Sequence, residues 1–533
     1  MKKKLTKRKR KWIERTVDND RSYKIWLYNR FFLYILLALI QLTGWALFLY
    51  LLHYDSKIAV LAQGITGALA FVSVLYIVGK PSLPSAKLGW VLLILIVPFF
   101  GVSLYAVCGE GRATRRMKKR LEKAKAENRR QAQKSLAEEK SHFPQTREEG
   151  TEYFLSSRGY PAYTDGEVCY FDSGEKIFPE MLLAIQGAKR FILVEYFIIA
   201  HGKMWGDILK ALLQKAEEGV QIRILYDDFG CMTTLPPEYD RYLESLNENI
   251  RCLSFNKVIP LLTVRMNNRD HRKMLVIDGE TAFTGGFNLA DEYIGEKRRF
   301  GYWKDSGLKI TGRAVNGFTQ AFFDLWNAFR ADKEEVEKYL VSPFNEDIPP
   351  ANGQKIQPFD LSPLDKISVG AHVYADMIAR AKKSVYIFTP YLVLDDFLRA
   401  ELCRAALRGV DVRIVTPSIP DKKTVYRLTR ANYAVLMDAG VKIYEYTPGF
   451  IHAKSFLCDG EYAVVGTINF DYRSLYLHFE NGVYFSGGQA VADLERDCMQ
   501  TFALSKLCDK NSVKRGLIGR TVDAVLRVFE SLL

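Results

Sequence analysis

The chain has 533 residues, 48% of them apolar and 26% charged, with a formal net charge of +14. That is more than one ordinary domain, with ample material for a large core. Residues 1–30 hold 12 Lys/Arg against 3 Asp/Glu and residues 109–134 hold 11 against 3, so the rest of the chain is close to −3; this disfavours a body that grips nucleic acid.

In chain order, residues 1–30 form a basic N-terminal segment. Residues 31–108 contain three uncharged apolar stretches, Phe31–Leu52, Ile58–Gly79 and Leu88–Cys108. Each is about long enough to cross a bilayer, which takes about 20 residues. The apolar region starts too late and runs too long for a cleaved signal peptide. Basic segments flank the region on both sides, a pattern that suits anionic lipid headgroups or simply sets topology. The positive-inside rule places both flanks in the cytoplasm, which requires an even number of crossings. Pro98 and Gly101 interrupt the third stretch, so two true crossings are expected, with the third stretch re-entrant or interfacial. Residues 109–150 read as a basic, polar, solvated linker helix. The eight cysteines are scattered, with no C-x-x-C and no zinc spacing, and read as reduced thiols of a cytosol-facing body.

The body repeats itself. Residues 151–341 carry FILVEYFII, a helical stretch, then EGVQIRIL; residues 359–508 carry VYIFTPYLV, a helical stretch, then RGVDVRIV. Each is strand, helix, strand, and the short apolar strands suit a buried, largely parallel sheet. The Pro- and Asn-rich segment 342–358 reads as the linker between them. Residues 509–533 form an amphipathic C-terminal helix that lies on a membrane or docks on a domain.

After each strand pair comes the same motif: His271-x-Lys273-x4-Asp278 and His452-x-Lys454-x4-Asp459. Gly285 and Asn288 follow Asp278 by seven and ten residues; Gly466 and Asn469 follow Asp459 by the same counts. A lone His-x-Lys is usually structural. Two copies in one frame, in a chain with seven histidines, point to chemistry. Residues i and i+2 of a strand share a face, so each His and Lys pair points one way. If the halves pack about a pseudo-twofold axis, two imidazoles and two ammonium groups converge. Lys273, Lys454, Asn288 and Asn469 then supply donors for a phosphate. One imidazole attacks phosphorus and the other protonates the leaving oxygen. The motif positions His271, Lys273, Asp278, His452, Lys454 and Asp459 form the candidate catalytic set, although the two Asp-Gly pairs read as hairpin turns that organise the motif. Glu480, 28 residues after His452, and Asp305, 34 residues after His271, are the candidate acceptors that orient the imidazoles. A lysine beside each histidine opposes a bound cation, so no metal and no cofactor is expected, and activity should survive a chelator.

These residues resemble the phospholipase D superfamily, and the body resembles its bacterial cardiolipin synthase group. The finer likeness rests on SAKLGWVLLILIVPFFGVSLY, VEYFII, LYDDFG, GGFNLADEY, TPYLV, GVKIYEYTPGFIHAK and GTINFDYRS. The superfamily's serine after the motif glycine is Gly286 in the first copy and Thr467 in the second; Gly286 removes a hydroxyl donor. The resemblance implies an α/β fold of two phospholipase D-like α/β/α repeats about a pseudo-twofold axis, preceded by N-terminal membrane helices. It further implies transfer of a phosphatidyl group between two phosphatidylglycerol molecules, giving cardiolipin and glycerol, at a multi-pass bacterial inner-membrane protein with a cytoplasmic body. By the same analogy His271 is the nucleophile and His452 the acid. A membrane phospholipase D that transfers to water, and a non-catalytic membrane scaffold, are the competing readings.

Overall fold

The structure is a computed structural model. It describes residues 56–80, 84–108, 112–135, 150–257, 267–341, 354–513 and 516–528, with a few isolated residues before 56. The basic segment 1–30 and most of Phe31–Leu52 lie outside the described residues. The chain divides into two compact units. One includes Lys118–Asn256 and Asn268–Gly516; the other consists of Asp18–Met117, Lys257–Asn267 and Leu517–Leu533.

The first half of the larger unit contains strands β1 (Val168–Phe171), β2 (Phe191–Tyr196), β3 (Gln221–Asp227), β4 (Ile250–Phe255), β5 (Arg269–Asp270), β6 (Lys273–Ile277), β7 (Thr281–Gly285), β8 (Tyr302–Lys304) and β9 (Gly307–Thr311). The second half contains β10 (Lys355–Leu361), β11 (Ser384–Phe388), β12 (Asp411–Pro417), β13 (Lys442–Tyr446), β14 (Gly449–Ile451), β15 (Ser455–Cys458), β16 (Tyr462–Gly466), β17 (His478–Ser486) and β18 (Ser505–Leu507). The strand order β9-β7-β6-β2-β3-β4 of one sheet recurs as β17-β16-β15-β11-β12-β13 in the other. Only β2-β3-β4 and β11-β12-β13 are parallel. The remaining pairs on these paths are antiparallel, so the sheets are mixed rather than largely parallel. The cause is local. In each half an Asp-Gly turn sends the strand after the motif straight back on itself. Asp278 and Gly279 have φ of 55° and 78°, Asp459 and Gly460 of 55° and 70°. Each turn closes with a 3.0 Å bond, Glu280 N–H to Ile277 O and Glu461 N–H to Cys458 O.

Each sheet has its own core. All six residues of β2 are buried, because the helices Gly174–Gly187 and Lys203–Glu217 contribute Ile177, Ile185, Trp205 and Leu212 to the cluster around it. Val385, Ile387, Leu398, Leu402 and Leu436 form the matching core of the second half. Burying each such side chain contributes about 1.5–3 kcal/mol. The second repeat begins at β10, inside the expected linker 342–358. Pro358 is tolerated there because β10 is an edge strand.

The polar stretch after the apolar region forms the helix Arg112–Ser135, and it is docked rather than solvated. Leu121, Ala124, Asn128 and Ala132 form a buried stripe at helical spacing. Asn128 donates to Asp324 at 2.8 Å and accepts from Asn327 at 2.9 Å. In the smaller unit, Ser56–Val78 is one helix, whereas the third apolar stretch breaks into Pro84–Ile96 and Pro98–Cys108. Pro98 cannot donate to the preceding turn. Gly101 lets the two segments close, since a Cβ there would lie 2.5 Å from Ile94 Cα. Among the described residues no helix is long and apolar enough to cross a membrane. The C-terminal helix Leu517–Val528 belongs to this unit, and the carbonyl of Val528 approaches Gly89.

Candidate active site

The two motifs sit where the halves exchange short strands. β5, just before His271, pairs in parallel with the start of β17, and β14, just before His452, pairs in parallel with β8. The exchange continues into the motifs: His271 N–H donates to Phe479 O at 2.9 Å and His452 N–H to Lys304 O at 2.7 Å. Each His-x-Lys therefore spans a junction between a strand in the other half and a strand in its own. His271 and His452 are not mid-strand residues, as alternation had suggested.

This crossing decides which carboxylate serves which histidine. His271 Nδ1 lies 2.9 Å from Glu480 Oε2, and His452 Nδ1 lies 2.7 Å from Asp305 Oδ2. The two candidate acceptors thus lie against the motif histidines, each against the one from the opposite half. With Nδ1 engaged, Nε2 is the nitrogen left for chemistry. Lys273 Nζ donates to His271 O at 2.6 Å. Lys454 Nζ donates to His452 O and sits 2.9 Å from His452 Nδ1. Further polar contacts lock the halves: Lys273 N–H to Asn481 Oδ1 at 3.2 Å, Asn481 Nδ2 to Thr284 Oγ1 at 2.7 Å, and Ser306 Oγ to Ser455 Oγ at 2.9 Å. Arg272, between His271 and Lys273, is buried against Glu195 at 2.6 Å and Asp270 at 3.3 Å. Removing one partner of such a buried pair costs about 3–5 kcal/mol.

Burial governs the charges. It pushes Lys273 down to about 8 and Lys454 to about 7. His452 falls to about 4 through burial and then Lys454, with Asp305 opposing. His271 falls well below its usual range through burial, then Lys273, His478, Lys454 and His452. These mutual effects place both motifs within one electrostatic site. Glu480 is pushed well up by burial.

Asp278 and Asp459 do not join the cluster. The carboxylate of Asp278 accepts the N–H groups of Lys189, Arg190 and Phe191 at 2.7–2.9 Å. Asp459 accepts those of Lys382, Lys383 and Ser384 at 2.7–2.9 Å. They pin each motif hairpin to the neighbouring strand start. Asn288 donates to Tyr293 at 2.8 Å and accepts from Ile198 N–H at 3.0 Å; Asn469 donates to Ser474 at 3.1 Å. The position after the motif glycine differs between the halves. Thr467 donates to Glu480 Oε2 at 2.5 Å, whereas a Cβ on Gly286 would lie 2.1 Å from Asp305 Oδ1.

Sequence reasoning missed His478. Its ring lies 5.5 Å from that of His271. The signal was present: Trp303-x-Asp305 and His478-x-Glu480 share one spacing. Ligand atoms of His271, His478 and Glu480 lie within 4.8 Å of one another, a geometry that could hold a metal, but Lys273 opposes a cation there.

A family profile described as "Cardiolipin synthase, PLD-like domain" matches residues 181–322 and 374–501. A second, "Phospholipase_D-nuclease N-terminal", matches residues 68–110. An uncharacterised protein of Streptococcus mutans is 40% identical over 86% of this chain and 99% of its own. The cardiolipin synthase of Alkalihalophilus pseudofirmus is 32% identical over 84% of this chain and 89% of its own, and one from Staphylococcus aureus 33% identical over 80% and 87%. Phosphatidylserine synthase from Haemophilus influenzae superposes with a TM-score of 0.56 at 15% identity, covering 72% of this chain and all of that one, which shows a shared fold.

Proposed function

The chain belongs to the phospholipase D-like cardiolipin synthase family, and from that premise we propose that it transfers a phosphatidyl group from one phosphatidylglycerol to a second, releasing glycerol. His271 Nε2 attacks phosphorus, and the bond from phosphorus to the glycerol oxygen breaks. His452 delivers a proton to that oxygen. A primary hydroxyl of the second phosphatidylglycerol then attacks the phosphohistidine, His452 takes its proton, and the bond from phosphorus to nitrogen breaks. One phosphodiester replaces another, so no nucleotide is consumed. Lys273 and Lys454 hold the equatorial oxygens, where charge builds in the transition state. Asn288 and Asn469 are proposed to add amide donors, each through the hydrogen its fixed contact leaves free.

The observation that carries this reading is the pair of imidazoles, each held at Nδ1 by a carboxylate from the opposite half. The division of labour rests on their surroundings. Burial and then Lys454 hold His452 below its usual range while Asp305 opposes them; the Asp305 carboxylate and the rings of Tyr293, Trp303 and Phe450, 5.5–5.9 Å away, offset the positive charge His452 carries when it exchanges its proton. His271 is held neutral by burial and then by Lys273, and with Nδ1 engaged by Glu480 at 2.9 Å its Nε2 lone pair is free to attack.

The membrane setting belongs to the same proposal: a multi-pass bacterial inner-membrane protein whose body faces the cytoplasm. It is supported by exposed apolar side chains on Ser56–Val78, including Val60, Leu61, Leu69 and Phe71, and by Leu517 and Ile518 of the C-terminal helix. Labelled phosphatidylglycerol supplied to wild type and His271→Ala tests the chemistry. Cardiolipin from wild type alone is expected; phosphatidic acid as the only product overturns the transferase reading. Protease added outside intact cells should leave the body uncut.

A further inference from the structure

Three imidazoles stand at this site. The side chains of His271, His452 and His478 keep 11%, 10% and 9% of their surface exposed. The sheet register identifies the position of the third. Gly285 pairs with Gly307 in the first half, and Gly466 with Gly482 in the second. Four residues before these partners stand Trp303 and His478. Each flanks the motif histidine of the other half, Trp303 at 5.7 Å from His452 and His478 at 5.5 Å from His271. The two sites are equivalent in the fold and differ in chemistry, since an indole does not titrate and an imidazole does.

The carboxylates beside them differ in the same sense. Asp305 uses both oxygens: Oδ2 accepts from His452 and Oδ1 from Ser306 N–H at 2.8 Å. Glu480 uses one. Oε2 accepts from His271 and Thr467, while the buried Oε1 has no protein hydrogen bond. His478 Nδ1 lies 3.7 Å from Oε1 and is itself buried without a hydrogen bond. Two unsatisfied buried polar atoms that face each other cost stability, and a small ring rotation would pair them.

We propose that His478 is a positioning residue for the nucleophile: in its Nδ1–H tautomer it closes on Glu480 Oε1, so that one carboxylate holds two imidazoles. Glu480 is then fixed from both sides as His271 takes on the phosphatidyl group and its ring gains positive charge. No proton leaves His478 in this role. Burial, Arg473, Lys273, Arg269 and Lys422 all disfavour a second proton on it.

The inference rests on the transferase reading but is tested upstream of the acceptor. Full-length protein in mixed micelles is given labelled phosphatidylglycerol, and labelling of His271 is followed by rapid quench. His478→Phe is expected to slow labelling by about 10–100-fold, the usual effect of removing a residue that orients a reacting ligand. KM should stay within about twofold. His478→Asn, which keeps a donor, should recover most of the rate. Wild-type labelling rates in His478→Phe overturn the proposal. So does equal slowing in both variants, which would make position 478 a packing site. Normal labelling of wild type without cardiolipin would sink the transferase reading and leave the His478 comparison standing.

Discussion

Around His452 the neighbouring rings are Tyr293, Trp303 and Phe450, and the orienting carboxylate is an aspartate with both oxygens engaged. Around His271 they are Phe197 and His478, and the carboxylate is a longer glutamate with a threonine hydroxyl on one oxygen. The backbone repeats with little change between the halves: the same strand order, the same turn with positive φ at Asp and Gly, the same N–H to C=O crossing. A duplicated fold supplies two equivalent imidazoles. The side chains that differ around them are the basis for the proposed division, in which one attacks and the other exchanges a proton.

The hardest test of that division is to remove each histidine and supply a substrate whose leaving group needs no proton. His271→Ala should lose labelling and turnover by at least about 10³-fold with any substrate. His452→Ala should lose turnover of phosphatidylglycerol by about 10²–10⁴-fold yet still label His271 from a p-nitrophenyl ester. Label found on His452 instead would reverse the roles. The carboxylates come next. Glu480→Gln should slow labelling with either substrate by about 10–100-fold. Asp305→Asn should slow it with phosphatidylglycerol and much less with the activated ester, a contrast read by single-turnover kinetics.

A smaller effect probes the position after the motif glycine. Gly286→Ala forces Asp305 to move, because the added methyl would sit 2.1 Å from Oδ1. It should lower stability by about 1–3 kcal/mol and reduce kcat. Thr467→Ala removes one hydrogen bond from Glu480, worth about 1.5–3 kcal/mol to a charged acceptor and less to a neutral one; thermal melts and kcat on both variants compare the sites. The smallest effect is in pH. Lys454 titrates near 7 and Lys273 near 8 in the folded protein. As pH rises through that window the amines lose charge and KM for phosphatidylglycerol should rise, Lys454 first. Without substrate the same depression makes stability rise from about pH 7 toward the usual lysine range, because the unfolded chain binds more protons there. Amine titration by NMR, beside urea melts across this range, checks both signs; a falling KM would contradict the assigned charges.

Much of the site was legible in the sequence. Equal spacing found both His-x-Lys pairs, and Asp-Gly after an apolar strand found both turns. Glu480 and Asp305 were legible as acceptors, but their pairing was not, since counting along the chain assigns each carboxylate to its own half. His478 was hidden because its partner in the repeat is a tryptophan, so comparison of residue types passes over it. The docking of Lys118–Ser135 was masked by charge: its buried stripe of Leu121, Ala124, Asn128 and Ala132 is small and weakly apolar among many lysines and arginines.

The sequence by itself determined the repeat, the two His-x-Lys pairs of the candidate site and the turns that follow them, because strand alternation, positive φ at Asp-Gly and motif spacing are local properties. Only the tertiary structure decided which carboxylate holds which imidazole and how far each charge shifts. Those depend on β5 and β14 crossing into the opposite half and on burial of the whole cluster, which no local pattern encodes.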